Sequence, residues 1–182
     1  SKLCERFPNE YWRKIDASGG YPDEFIDVLN QEGFLSVLIP EEYGGAGLGI
    51  EAAGIILVEI SRSGGHPGAF HAQMYTMGAV LRHGSRAQKQ ECLPKIASGE
   101  LRLQAFGVTE PEAGTDTLSI RTFARRENDK YIVNGQKVWI SRVEHSDLLL
   151  LLARTTPKDK VERKTDGLSV FLIDIRDALG KG

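Results

Sequence analysis

The residue pattern of this chain changes once, near residue 100, and that change limits the fold more than any other feature. Upstream, apolar residues recur at helical spacing; downstream they alternate or run on over strand length. Pro22-Asp23-Glu24 predicts a helix start, with a proline in the first turn and acids at the positive end of the dipole. Phe25, Val28 and Leu29 mark its inner face, and Gly33 offers a left-handed stop. A glycine-rich turn over residues 43–49 leads to a second helix, marked by Ile50, Ala53, Ile56, Leu57 and Ile60. Residues 70–81 predict a third. Ser85 and Gln88 have capping-box spacing ahead of a fourth, which turns Leu93 and Ile96 inward and ends at Ser98-Gly99.

Past residue 100 the signals are those of strands. Leu101, Leu103 and Ala105 alternate with Arg102, Gln104 and Phe106, and residues 119–125 alternate less cleanly. Residues 126–130 read as a polar turn, and Tyr131-Ile132-Val133 favours a strand. Asn134-Gly135 predicts a type I′ hairpin turn that returns through Lys137-Val138-Trp139-Ile140-Ser141. Residues 148–152 form a short buried strand, residues 155–165 a charged connection, and residues 167–174 a further strand. Helices followed by strands give an α+β fold: an N-terminal all-α domain over 1–103, then an antiparallel, β-barrel-like or sandwich middle domain over 104–182. The last strands leave edges uncovered, so the β domain is expected to be truncated.

The chain has 182 residues, enough for one large domain or two small ones with a real core. A formal net charge of −2 provides no global field for nucleic acid or anionic lipid. Cys4 and Cys92 stand far apart, which argues against a disulfide framework and for a reducing compartment. The longest apolar run, residues 148–153, is too short to cross a bilayer, and the charged N-terminus has no signal core. A soluble, unsecreted protein is expected.

Several motifs reduce to plain structure. Gly47-Leu48-Gly49-Ile50-Glu51-Ala52 has the spacing of a dinucleotide fingerprint, but no strand precedes it and no acid follows near residue 70, so it reads as a helix-entry turn. His66, His71, His83 and His145 have no partners at metal spacing. Ser61, Ser63 and Ser141 lack the context of an activated nucleophile. The segment Thr109-Glu110-Pro111-Glu112-Ala113-Gly114-Thr115-Asp116 follows a strand and gathers hydroxyls, a glycine and free backbone amides. By composition it reads first as a surface turn, and second as a polar ligand loop in which Gly114 permits close backbone approach. Trp139 reads as a core anchor or as a stacking surface for a cofactor.

Three segments together resemble the acyl-CoA dehydrogenase family, over nearly the whole chain. Pro40-Glu41-Glu42-Tyr43-Gly44-Gly45-Ala46-Gly47-Leu48 is similar to the P-x-x-Y-G-G-x-G-L turn of its N-terminal domain. Residues 106–116 resemble its first flavin segment, T-E-P-x-A-G-S-D at the core, and residues 134–141 its second, N-G-x-K-x-W-I-T/S. The resemblance implies FAD as cofactor. Phe106, Val108 and Thr109 would line the isoalloxazine, and Thr109 would bond its polar edge. Thr115, in place of the usual Ser, would contact the FAD diphosphate and the acyl-CoA, beside Gly114. Trp139, Ile140 and Ser141 would flank the flavin from the second segment. It further implies oxidation of acyl-CoA to trans-2-enoyl-CoA, with β-hydride transfer to flavin N5 and the α-proton taken by a carboxylate outside this chain. An acyl-CoA oxidase or flavin monooxygenase of the same fold, and a non-catalytic flavin-binding fragment, are the rival readings. An electron-transfer flavoprotein is the implied acceptor and a homotetramer or dimer the implied assembly. The implied location is the cytoplasm in a bacterium or the mitochondrial matrix in a eukaryote. After Ser141 the family commonly has Asn-Gly or Asn-Ala; here Arg142 stands instead.

Overall fold

The computed structural model describes residues 2–180 and divides into two compact units, Ser1–Leu103 and Gln104–Gly182. The first unit contains helices α1 (Asn9–Ser18), α2 (Asp23–Gln31), α3 (Ile50–Arg62), α4 (Gly68–His83) and α5 (Arg86–Ser98). The start of α2 lies where the proline and the paired acids put it, and Gly33 takes φ 76° just beyond its end. Gly49 is the residue before α3, so the glycine-rich stretch is a helix entry. Ile50, expected to face inward, is 73% exposed; Ala53 and Ile60 carry the buried stripe of α3. Phe25, Phe70, Met77, Leu93 and Ile96 form the fully buried centre of this unit. The Thr76 hydroxyl, within that centre, donates to the Leu103 carbonyl and so holds the end of the unit against α4.

Sequence reading passed over α1, which has no buried residue. It is held by edge-to-face aromatic contacts, with Phe7, Tyr11, Trp12 and Phe25 rings 4.9–5.1 Å apart. The cap of α5 is as read: the Gln88 amide donates to Ser85 Oγ at 3.2 Å, and the Ser85 amide to Gln88 Oε1 at 2.8 Å. Removing one member of such a box leaves helix amides unbonded. Ser85→Ala is expected to lower unfolding free energy by about 1 kcal/mol in urea titration; a loss below about 0.3 kcal/mol would mean that the cap is idle.

The second unit is built on one five-stranded sheet. Its strands are β1 (Leu103–Gly107), β2 (Phe123–Glu127), β3 (Lys130–Asn134), β4 (Leu148–Arg154) and β5 (Leu168–Asp174). The α+β expectation holds, and β2/β3 and β4/β5 are antiparallel, but β2 meets β4 in parallel through the pair Phe123–Arg154, so the sheet is mixed. Ala124, Leu151 and Ala153 form its buried centre, with Val133, Phe171 and Ile173 packed on them. The β2/β3 hairpin turns at Asn128-Asp129, where Asn128 has φ 57°, within the polar stretch read as a turn. The expected hairpin at Asn134-Gly135 is absent, and residues 137–141 form no strand. No described helix is long and apolar enough to cross a membrane.

Candidate functional site

The turn after β1 folds back on itself at once. Glu110 and Ala113 exchange backbone hydrogen bonds, both at 3.1 Å, which places Pro111 and Glu112 at an exposed tip. Glu110 itself turns inward. Its carboxylate accepts from the Arg121 amide at 2.6 Å, the Thr122 amide at 2.9 Å and Lys137 Nζ at 2.8 Å. The Glu110 and Lys137 side chains are only 7% and 6% exposed. Burial acts to raise the pKa of Glu110, but the Lys137 ammonium and the donated amides override it and hold the carboxyl at about 2.

This pair joins the two segments that were read as separate motifs. Lys137 Nζ also donates to the Val108 carbonyl at 2.8 Å, and the Val138 amide donates to the Thr109 carbonyl at 2.9 Å. A side chain at Gly107 would stand 3.6 Å from Ile140 Cδ1, so Ile140 lies close against β1. Between two fixed neighbours, Val138 and Ile140, Trp139 adopts φ 59° and leaves its side chain in water, 89% exposed. A bulky residue in that region costs on the order of 1–3 kcal/mol, and such strain persists where the surroundings impose it. Trp139 is therefore no core anchor. Its large apolar ring stands out from a braced loop, as a stacking surface must.

The remaining residues of the two segments carry further polar groups. Phe106, Val108 and Thr109 are partly buried along the exit from β1, whereas Gly114, Thr115 and Ser141 are exposed. The hydroxyls of Thr109, Thr115 and Ser141 have no hydrogen-bond partner among the described residues, and neither do the amides of Gly114, Thr115 and Asp116. These three successive free amides are available as donors to an anion. No atom lies within 4 Å of where a Cβ at Gly114 would be, so internal packing does not demand glycine there. Asp116 bonds Ser119, which lowers its pKa, and Lys158 and Lys164 act in the same direction. Among the described residues no group of three His, Cys, Asp or Glu is placed to hold a metal ion.

Sequence reading named the exposed members of this site and missed its brace. Glu110 and Lys137 both stood inside the quoted motifs, but nothing in their spacing showed that they face each other. Ile140 was grouped with the flavin contacts; it packs beside Gly107.

Comparison with known proteins identifies the family. Residues 1–100 match the acyl-CoA dehydrogenase N-terminal domain, and residues 105–181 match the acyl-CoA dehydrogenase middle domain. A probable acyl-CoA dehydrogenase of Mycobacterium tuberculosis is 35% identical over 94% of this chain and 43% of its own length. A 3-(aryl)acrylate reductase of Clostridium sporogenes is 34% identical over 88% of this chain and 42% of its own length. The crystal structure of an acyl-CoA dehydrogenase from Geobacillus kaustophilus superposes with TM-score 0.85 and 30% identity, covering 95% of this chain and 45% of that one. The chain thus spans less than half the length of the curated relatives it matches. It belongs to the acyl-CoA dehydrogenase family, to whose N-terminal and middle domains it corresponds.

Proposed function

We propose that this chain forms the flavin-holding part of an FAD-dependent enzyme that oxidises acyl-CoA thioesters to trans-2-enoyl-CoA. The observation that carries the reading is the brace between the two segments: a buried Glu110–Lys137 pair ties the loop after β1 to the loop that carries the exposed, strained Trp139. The residues fit the cofactor. An exposed aromatic face, hydrogen-bond donors for a polar ring edge, and free amides with room at Gly114 are what an isoalloxazine and a diphosphate need.

Bound FAD supplies the acceptor for the β-hydride. Thr109 and Ser141 orient the ring edge through their hydroxyls, and Trp139 covers the ring and excludes water from it. Thr115 and the neighbouring amides hold the diphosphate, and Thr115 also reaches the acyl-CoA. None of these groups is a base. Glu110, with its carboxyl held at about 2, binds a proton too weakly to remove one from the substrate α-carbon. The base is a carboxylate outside this chain, and an electron-transfer flavoprotein takes the electrons onward.

The whole gene product is expected to carry a flavin visible absorption spectrum that bleaches anaerobically when acyl-CoA is added. Protein purified without flavin and unable to take up FAD would overturn the whole reading. Bound flavin that no short-, medium- or long-chain acyl-CoA bleaches would overturn the reaction. Peroxide formed in step with oxygen uptake would replace the dehydrogenase with an oxidase of the same fold.

A further inference from the structure

β4 ends in Arg154, a guanidinium that is only 4% exposed. Burying a cation is costly, and proteins ordinarily offset it with a carboxylate. Arg154 has none among the described residues. Its donors go to main-chain carbonyls instead: Nε to Ile120 at 3.2 Å, and Nη2 to Leu118 at 2.6 Å and Lys164 at 3.4 Å. Nη1 is buried without an acceptor among the described residues.

Two of those carbonyls belong to the stretch directly beyond Thr115. The Arg154 amide also donates to the Thr122 carbonyl at 2.8 Å, and the Thr122 amide is held by Glu110. Residues 118–122 are therefore fixed from both sides, by Arg154 and by Glu110. The Leu118 and Ile120 carbonyls point inward to the guanidinium, while Gly114, Thr115 and Asp116 stay exposed with free amides. Lys158 adds a second cation, its Nζ 3.2 Å from Ser119 Oγ, and the Lys164 carbonyl brings that residue to the same place. Lys158 and Lys164 both act on Asp116, and the other two carboxylates of the turn are already paired, Glu110 with Lys137 and Glu112 with Arg121. An apolar side chain here would leave the Leu118, Ile120 and Lys164 carbonyls without this donor, so Arg154 also supports the turn itself.

We infer that Arg154 is a positioning residue for a phosphate ester bound at the turn of Thr115: it draws the Leu118 and Ile120 carbonyls inward, and its unpaired charge favours an anion on the outer side. The inference rests on the flavin reading above, in which that anion is the FAD diphosphate. Arg154 touches no ligand; it acts through the turn that does.

The test measures FAD and riboflavin binding to the apo form of the whole gene product and its variants. Arg154→Met is expected to weaken FAD about tenfold and to leave riboflavin, which has no phosphate, within about twofold. Arg154→Lys, which keeps the charge and a donor, is expected to recover about half of that loss on a logarithmic scale. In a Thr115→Ala background the effect of Arg154→Met is expected to shrink to about threefold or less, because the two act through one contact. FAD affinity unchanged in both Arg154 variants, or FAD and riboflavin weakened equally, would overturn the inference. If Arg154→Met does not fold, Arg154→Lys decides by the same FAD-to-riboflavin comparison. Wild-type protein that binds neither flavin defeats the flavin reading itself; wild-type protein that binds FAD while the variants match it defeats only the role of Arg154.

Discussion

Lys137→Met is expected to destabilise the second unit by about 3–5 kcal/mol and to abolish flavin binding, as read by urea titration and by the flavin spectrum. The substitution keeps the length of the side chain and removes its charge. Glu110 then stays buried at 7% side-chain exposure, with two amides but no cation to balance it. Breaking one partner of a buried pair costs more than removing both, so Lys137→Met with Glu110→Gln is expected to be more stable than Lys137→Met alone. A loss below about 1 kcal/mol in the single variant would show that the pair does not brace the two segments. The same pair sets an acid limit. The Glu110 carboxyl lies at about 2 in the folded chain, against an ordinary 4.5. A depressed carboxyl contributes stability that is complete above its unfolded value and disappears as pH falls from about 4.5 towards about 2. The amount is on the order of 3 kcal/mol. Lys137→Met is expected to flatten that part of the stability profile; an unchanged acid slope would place its origin elsewhere.

What was legible in the sequence depended on whether the deciding interaction is local. The capping box of Ser85 and Gln88 and the entry of α2 at Pro22 involve neighbours in the chain, and both elements lie where they were read. The helix α1 was missed because it offers no buried stripe; its Tyr11 and Trp12 work through ring contacts with Phe7 and Phe25. Residues 137–141 have the side chains of a strand, but Lys137 is drawn to Glu110 and the Val138 amide to Thr109, and those bonds hold them as a loop. Local propensity lost there to one ion pair and one backbone bond, which no window of neighbouring residues contains. The site divides in the same way. Its exposed groups lie in contiguous motifs and could be named; Arg154, buried at the far end of β4, could not.

Gly135 shows why a glycine sits after β3 although no hairpin turns there, and Gly135→Ala is expected to cost about 3 kcal/mol or more. A Cβ at this position would lie 2.3 Å from Thr122 Oγ1 and 2.6 Å from Thr122 Cα, at a backbone φ of 154° that side chains rarely adopt. The hydroxyl can rotate away, but the Cα cannot move without its residue. Thr122 is the residue whose amide binds Glu110 and whose carbonyl binds the Arg154 amide. The displacement therefore reaches the brace, and flavin affinity is expected to fall together with stability. Gly114→Ala provides the opposite case. Its Cβ would meet no atom within 4 Å and its backbone has no positive φ, so stability is expected to change by no more than about 0.5 kcal/mol. The new methyl would nevertheless stand where the proposed diphosphate approaches the backbone, and FAD is expected to bind about tenfold more weakly. Urea titration and flavin titration of the two variants separate the roles. Equal loss of stability in both would refute the packing argument for Gly135, and undiminished FAD binding by Gly114→Ala would remove the diphosphate from this turn.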